Sequence, residues 1–195
     1  MGNRRIGRAR LYAVEKAGRK FDPEAAPGIK DAIKSASQHR NGQEIISEIV
    51  LDLGVDNSIA NIVGGGTAGD VIGVASQVSY ITQLTVAKYG IITEIRGVVV
   101  EEPSFTNIDI ITDDAGSGGT VTTAGTPAGN TTIVVDGLTA KGNDISNSNP
   151  FHANMQDSDE AFLYLVNGNG QGSGAALDAG KIIIYIYGVE VPADI

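Results

Sequence analysis

The chain has 195 residues, 42% of them apolar but only 5% aromatic, with no Trp, no Cys and 26 Gly. That length supports one domain with a real core, and the composition favours a turn-rich β protein over a helical bundle. The absence of Cys excludes disulfide frameworks, thiolate metal sites and cysteine nucleophiles. No apolar run reaches the roughly 18 residues of a membrane helix, and the basic start MGNRRIGRAR is not followed by the apolar stretch of a signal peptide. Neither a membrane partner nor export is expected.

The net charge of −9 is unevenly distributed. Residues 1–40 hold ten Lys/Arg against four Asp/Glu, a net +6, whereas residues 41–195 hold four against nineteen, a net −15. This divides the chain into a basic N-terminal arm, 1–40, and an acidic body, 41–195. Arg4, Arg5, Arg8, Arg10, Arg19 and Lys20 supply charge to the arm, and Ile6, Leu11, Tyr12 and Phe21 are interleaved with them. A solvated tail has no need of these apolar side chains, so the pattern predicts an anchor: charge steers the arm to an anionic surface and apolar burial holds it there.

Between Pro23 and Gln38, the residues Ile29, Ala32, Ile33 and Ala36 recur at the spacing of a helical stripe, with Pro27 suited to a first turn. The spacing predicts one short helix. Asn41-Gly42 then marks a turn.

The body reads as short strands separated by Gly, Asn, Asp and Ser clusters. Ile45, Ile49, Leu51 and Leu53 alternate with Glu48 and Asp52 over 43–53. Val78, Tyr80, Leu84 and Val86 predict a second strand, and Ile91, Ile95 and Val99 a third, before Pro103. Further strands are expected over 106–112, 131–135, 161–166 and 181–191. The last, KIIIYIYGVEV, is apolar on both faces and should be a central strand or a subunit contact. Seven or eight strands at this spacing predict an antiparallel β-sandwich or jelly-roll-like body.

The motifs for chemistry are absent or broken. GGGTAG at 64–69 matches a dinucleotide fingerprint in form, but the β-branched run after it is strand-like where a helix must open. His39 and His152 are the only histidines and have no sequence partner. No G-x-S-x-G occurs; Ser173 sits in a glycine-rich loop. The carboxylates Glu101, Glu102, Asp109, Asp113, Asp114, Asp157, Asp159 and Glu160 lack the spacing of a Ca²⁺ loop. The tyrosines of the strands lie among acidic residues, which disfavours nucleic acid as a partner of the body. The expectation is a protein that is not an enzyme, with no cofactor and no metal.

The run AGDVIGVASQVSYITQLTVAKYGIITEIRGVVVEEPS, the segment FTNIDIITDD, the ending AFLYLVNGNGQGSGAALDAGKIIIYIYGVEV and the basic opening before GIKDAIKSAS resemble virion structural proteins of tailed bacteriophages. They are most similar to head decoration or cement proteins of phages of aquatic bacteria. The resemblance spans about residues 28–191 and carries no catalytic motif. It implies a homo-oligomer, commonly a trimer, assembled in the bacterial cytoplasm and seated on the virion's capsid surface. There it would stabilise the shell of the major capsid protein against the packaged DNA. The arm residues Arg4, Arg5, Ile6, Arg8, Arg10, Leu11, Tyr12, Arg19, Lys20 and Phe21 are then the expected capsid-binding set. The alternative is another virion role, as a tail, neck or fibre-base subunit or a glycan-adhesion module, whose contacts would come from the loops 113–130 and 167–180.

Overall fold

The computed structural model describes residues 19–54, 62–64, 67–104, 107–113, 132–142, 144–147, 161–168 and 176–190. The structure is mainly β, as the composition requires. The larger sheet contains β1 (Arg19–Lys20), β2 (Ile33–Asn41), β3 (Glu44–Asp52), β7 (Ile91–Glu101), β10 (Asp144–Asn147) and β12 (Lys181–Val189), in the order β1-β2-β3-β12-β7-β10. The smaller contains β6 (Thr82–Gln83), β8 (Ile108–Asp113), β9 (Thr132–Leu138) and β11 (Phe162–Asn167), in the order β6-β11-β8-β9. A two-stranded pair, β4 (Ile62–Val63) and β5 (Gly73–Val74), lies between β3 and β6 in the chain. Among the described residues there are two helices, each a single turn, α1 (Pro27–Lys30) and α2 (Val86–Tyr89).

Every pairing is antiparallel, and the pairs nest: β3 with β12, β6 with β11, β7 with β10, β8 with β9. These eight strands are one long hairpin rolled around a core, the jelly-roll arrangement of two packed sheets. β1 and β2 extend the larger sheet beyond this roll at its β3 edge.

The core lies between the sheets. Ile49, Leu51, Ile182, Ile184, Ile186, Ile95 and Val99 of the larger sheet are almost wholly buried in one cluster with Ile108, Ile110, Leu163, Leu165 and Leu138 of the smaller. Alternation along β12 sends Ile182, Ile184 and Ile186 inward, while Lys181, Ile183, Tyr185 and Tyr187 are half-buried on the outer face. β12 is therefore a central strand, held by β3 on one side and β7 on the other. The sheets pack closely at Gly97, where an added Cβ would stand 2.8 Å from Leu138 Cδ1 and 3.2 Å from Ile110 Cδ1.

Three expectations are corrected. The helix expected within 23–38 is one turn, and the stretch from Ile33 onward is the nine-residue strand β2. Ile29 and Ala32 are fully buried and Ile33 and Ala36 pack on the core, so the apolar stripe does face inward, but Ile33 and Ala36 do so from a strand. A hairpin with β3 closed by the two residues Gly42 and Gln43 supplies the reason. Gly42 has φ +60°, and Gln43 is not left-handed, the pattern of a type II′ turn. The division after Arg40 thus cuts through paired strands, and residues 19–40 belong to the body's larger sheet and its edge.

The strand expected over 78–86 shrinks to Thr82–Gln83. Val86 opens α2, with the Thr85 side chain accepting the Lys88 N–H as cap and Gly90, at φ +68°, ending the turn. Finally, Ile91 is 53% exposed while Ile92, Ile95 and Val99 are buried. A register shift, with Tyr187 opposite Glu94 but Gly188 opposite Ile92, turns the start of β7 over.

Candidate functional site

The polypeptide between β1 and β2 builds a groove at the corner of the larger sheet. β1 pairs with β2 at Arg19 opposite Gln38 and Lys20 opposite Ser37, and the Phe21 N–H donates to Ala36 O at 3.1 Å. The chain then leaves the sheet. Glu24, at φ 57°, is turned by its own N–H donating to Asp22 Oδ1 at 2.9 Å. Pro23 O accepts from Thr82 Oγ1 at 2.7 Å, and the Ala26 and Gly28 N–H groups donate to Tyr80 O and Val78 O. Gly28 is needed for this approach, since a Cβ there would fall 2.3 Å from Ser79 Oγ and 2.6 Å from Val78 O. After α1 the chain returns as β2.

Between the outgoing and returning limbs lies a groove of about 510 Å³. Phe21, Pro23, Ala25, Ile33 and Ala36 give it apolar walls, and Lys20, Lys30, Lys34 and Asp22 stand around it. The three lysines are exposed.

Among the described residues they have no ion-pair partner, which sets them apart. Arg40 pairs with Glu190 at 3.2 Å, Lys88 with Glu24 at 2.7 Å, Arg96 with Asp144, and Lys181 with Glu101 and, at 3.8 Å, with Asp52. The Arg96 guanidinium holds the Asp144 carboxyl below the usual range. Among the described residues, Arg19, Lys20, Lys30 and Lys34 make no ion pair, as does Lys141 on a distant turn. Three such lysines therefore line one groove against a single carboxylate, Asp22, with Arg19 next to them on β1, in a chain whose remainder is acidic.

Of the expected capsid-binding residues, Arg4, Arg5, Ile6, Arg8, Arg10, Leu11 and Tyr12 lie outside the described residues. Arg19 and Lys20 are exposed on β1. Phe21 is half-buried: it packs on this chain's own core, edge-to-face on Tyr89 with ring centroids 5.6 Å apart, which anchors the corner to the body, and it also lines the groove. Lys30 and Lys34 were not expected at the site. Read as helical, they would point along a helix flank; the turn into β2 instead brings them beside Lys20.

The other sequence candidates have local structural roles where they are described. His39 stands on β2 opposite Ile46. The Gly64–Gly69 run ends in a turn in which Asp70 Oδ2 accepts the Thr67 N–H at 2.9 Å, and an extended segment follows, Val71 bridging to Val166. No helix opens there, which removes the dipole a dinucleotide phosphate would need. His152, Ser173, Asp114, Asp157, Asp159 and Glu160, and most of the loops 113–130 and 167–180, lie outside the described residues. Among the described residues no group of three His, Asp or Glu side chains is placed to hold a metal ion.

Asp109 is 5% exposed on β8 and accepts the Gly137 N–H at 2.8 Å. Burial raises its pKa above the ordinary 3.8, the Gly137 bond opposes the rise, and Asp136 adds to it. The folded state therefore binds this proton more tightly than the unfolded one. The resulting stability is fully present below the unfolded pKa and is lost as pH rises through the folded pKa. Asp109→Asn keeps an acceptor for Gly137 and removes the titration. The urea midpoint of the variant is expected to exceed that of the parent at pH 7 and to approach it at pH 4. A variant weaker by the same amount at both values contradicts this.

No family model, no curated protein and no solved structure matches the chain.

Proposed function

We propose that this protein is a virion structural protein of a tailed bacteriophage that decorates and stabilises the head, binding the major capsid shell through its basic N-terminal segment. The observation that carries the reading is the joining of the charge asymmetry to the fold. The basic segment enters the body at the exposed edge strand Arg19–Lys20, at the corner where the unpaired lysines lie, while residues 41–195 carry −15. A body of that charge is repelled by anionic surfaces, so attraction to one has to come through this corner and the segment leading into it. The jelly roll recurs in viral capsid and lectin domains, so the fold admits the reading without carrying it. As an oligomer the protein would bring several such segments to one shell, and the affinity of each would be multiplied by effective concentration.

The test is co-sedimentation of the full chain with DNA-free heads of the phage that carries it. Binding is expected to weaken by roughly an order of magnitude or more between 50 and 200 mM salt, as screening shortens the reach of exposed charges. Salt-independent binding, or none at low salt, overturns the reading.

A further inference from the structure

The groove beside β1 combines three features that together define a kind of partner. The first is an open strand edge. On its β1 side, β2 is paired at Gln38 and Ser37 and closed by the Phe21 N–H at Ala36, so from Ser35 back to Ile33 that side faces the groove. Among the described residues no strand pairs with it there. The second is the apolar wall of Phe21, Ala25 and Ile33. The third is the set of lysines Lys20, Lys30 and Lys34, which make no ion pair among the described residues.

From this juxtaposition we infer that the groove binds an extended acidic polypeptide segment, which adds as a short strand to the open edge of β2. Main-chain hydrogen bonds to the edge supply affinity, as in other strand-addition complexes. Alternate side chains of the segment would fall on opposite faces. Small apolar ones would meet the Phe21 and Ile33 wall, and carboxylates on the other side would reach the lysines. The same lysines would repel a basic segment, which gives the site its selectivity. A nucleic acid satisfies the charge but not the edge, because its backbone offers no donors spaced to continue a sheet. The −15 of the body also opposes a polyphosphate lying across it.

This inference goes beyond the capsid reading, because peptide binding by the isolated chain needs no head and either can fail alone. The lysines also have a plain structural reading: charged side chains on a free edge prevent strand pairing between copies. The test separates the two.

A short fluorescent peptide alternating valine and glutamate is titrated into the full chain and followed by anisotropy. Three comparison probes are used: the same peptide with lysine for glutamate, the same peptide N-methylated at alternate residues, and a single-stranded oligonucleotide of similar charge. The variant combines Lys20→Glu, Lys30→Glu and Lys34→Glu. These side chains are exposed and make no ion pair among the described residues, so its melting curve should match the parent's. The arginines of the N-terminal segment are present in both proteins, so a difference between them reports the groove.

The expected result is saturable binding of the acidic peptide, weakened roughly tenfold or more in the triple variant and by N-methylation, with no binding of the lysine peptide. Unchanged binding in the triple variant, equal binding of the N-methylated peptide, or displacement of the peptide by the oligonucleotide overturns the inference. So does absence of peptide binding in a parent whose triple variant aggregates, which leaves edge protection as the lysines' only role. If the triple variant does not fold, the N-methylated and lysine peptides on the parent protein decide the matter.

Discussion

Gly188→Ala is expected to abolish the native fold. Gly188 is the inward position near the end of β12, opposite Ile45 on β3 and Ile92 on β7. There the C-terminal end of α2 crosses the sheet: a Cβ on Gly188 would stand 1.9 Å from Tyr89 O and 3.3 Å from Ile91 O. Gly90 faces the same crossing, at φ +68° and with its own Cβ position 2.3 Å from Val189 O. Two backbones meet with no side chain between them. The obstructing atoms are main-chain carbonyls of paired and capped segments, which cannot step aside as a flexible side chain does. Relief requires moving β12, the strand that links both halves of the larger sheet. The loss is expected to exceed about 4 kcal/mol, a value reserved for steric or core failures and close to the whole stability of a typical domain. Gly42→Ala is the control. Nothing lies within 4 Å of its Cβ position, so only the left-handed φ of +60° is penalised, at about 1–2 kcal/mol. Urea unfolding followed by tyrosine fluorescence should show a cooperative transition for the Gly42 variant and none for the Gly188 variant. Similar midpoints for the two would show that the crossing yields more easily than described.

The second large effect is expected at Thr82, which ties the groove to the core. Thr82 is fully buried on β6, and its Oγ1 lies 2.7 Å from Pro23 O and 2.7 Å from the Tyr89 hydroxyl. A threonine has one hydroxyl proton, and a carbonyl cannot donate. All three groups are satisfied when Thr82 donates to Pro23 O and Tyr89 donates to Thr82. Tyr89 is itself 0% exposed, and burial pushes its ionisation far above the normal range. Thr82→Val preserves shape but strands the Tyr89 hydroxyl and weakens the hold on Pro23. At about 1–3 kcal/mol for each stranded buried group, the loss should be about 2–4 kcal/mol. Thr82→Ser keeps the hydroxyl and should cost about 1 kcal/mol, the value of one buried methyl. Because removing both partners of a buried bond is far less costly than removing one, Tyr89→Phe in the Thr82→Val background should recover part of the loss. Additive losses in this double-mutant cycle, read from urea midpoints, would show that the two hydroxyls are not coupled. Pro23 forms one wall of the groove, so Thr82→Val should also weaken binding of the acidic peptide, while Thr82→Ser should not.

The strands with strong local patterns were readable before any coordinates. β3 alternates, β11 is a short apolar run buried on both faces, β8 shows Ile108, Ile110 and Ile111 among polar residues, and the two apolar faces of β12 fit the central position it takes, one of the two places expected for it. The misreadings have physical causes. In β2 the inward residues Ile33 and Ala36 also fit a helical stripe with Ile29 and Ala32, and the alternating Ser35, Ser37 and His39 give no apolar period to oppose it. The signal that would have decided was Asn41-Gly42, because a tight turn of this kind implies strands on both sides, not a boundary on one. The start of β7 inverts through a register shift imposed by its neighbour β12, which no property of residues 91–95 encodes. β10, with Ile145 as its one apolar residue, has no pattern at all. The nesting of β3 with β12 and of β6 with β11 depends on pairings between distant segments, so strand order was out of reach even where the strands themselves were legible. The same reasoning applies to the site. The basic charge of the N-terminal region is plain in the sequence, but the gathering of Lys20, Lys30 and Lys34 depends on where β2 begins.

The central claim is that attachment resides in the basic N-terminal segment and that the jelly roll is the body it carries. Since Arg19 and Lys20 pair with β2 and Phe21 packs on Tyr89, the segment should be removed before Arg19 so that the sheet edge is kept. The most direct measurement compares the full chain with a chain beginning at Arg19, each by sedimentation alone and with DNA-free heads at low salt. The account predicts that both have the same melting temperature and oligomeric state and that only the full chain sediments with the heads. Equal head binding by the shortened chain would contradict it, and would move the contact to the body, either to the corner of Arg19, Lys20, Lys30 and Lys34 that the shortened chain keeps or to its acidic remainder.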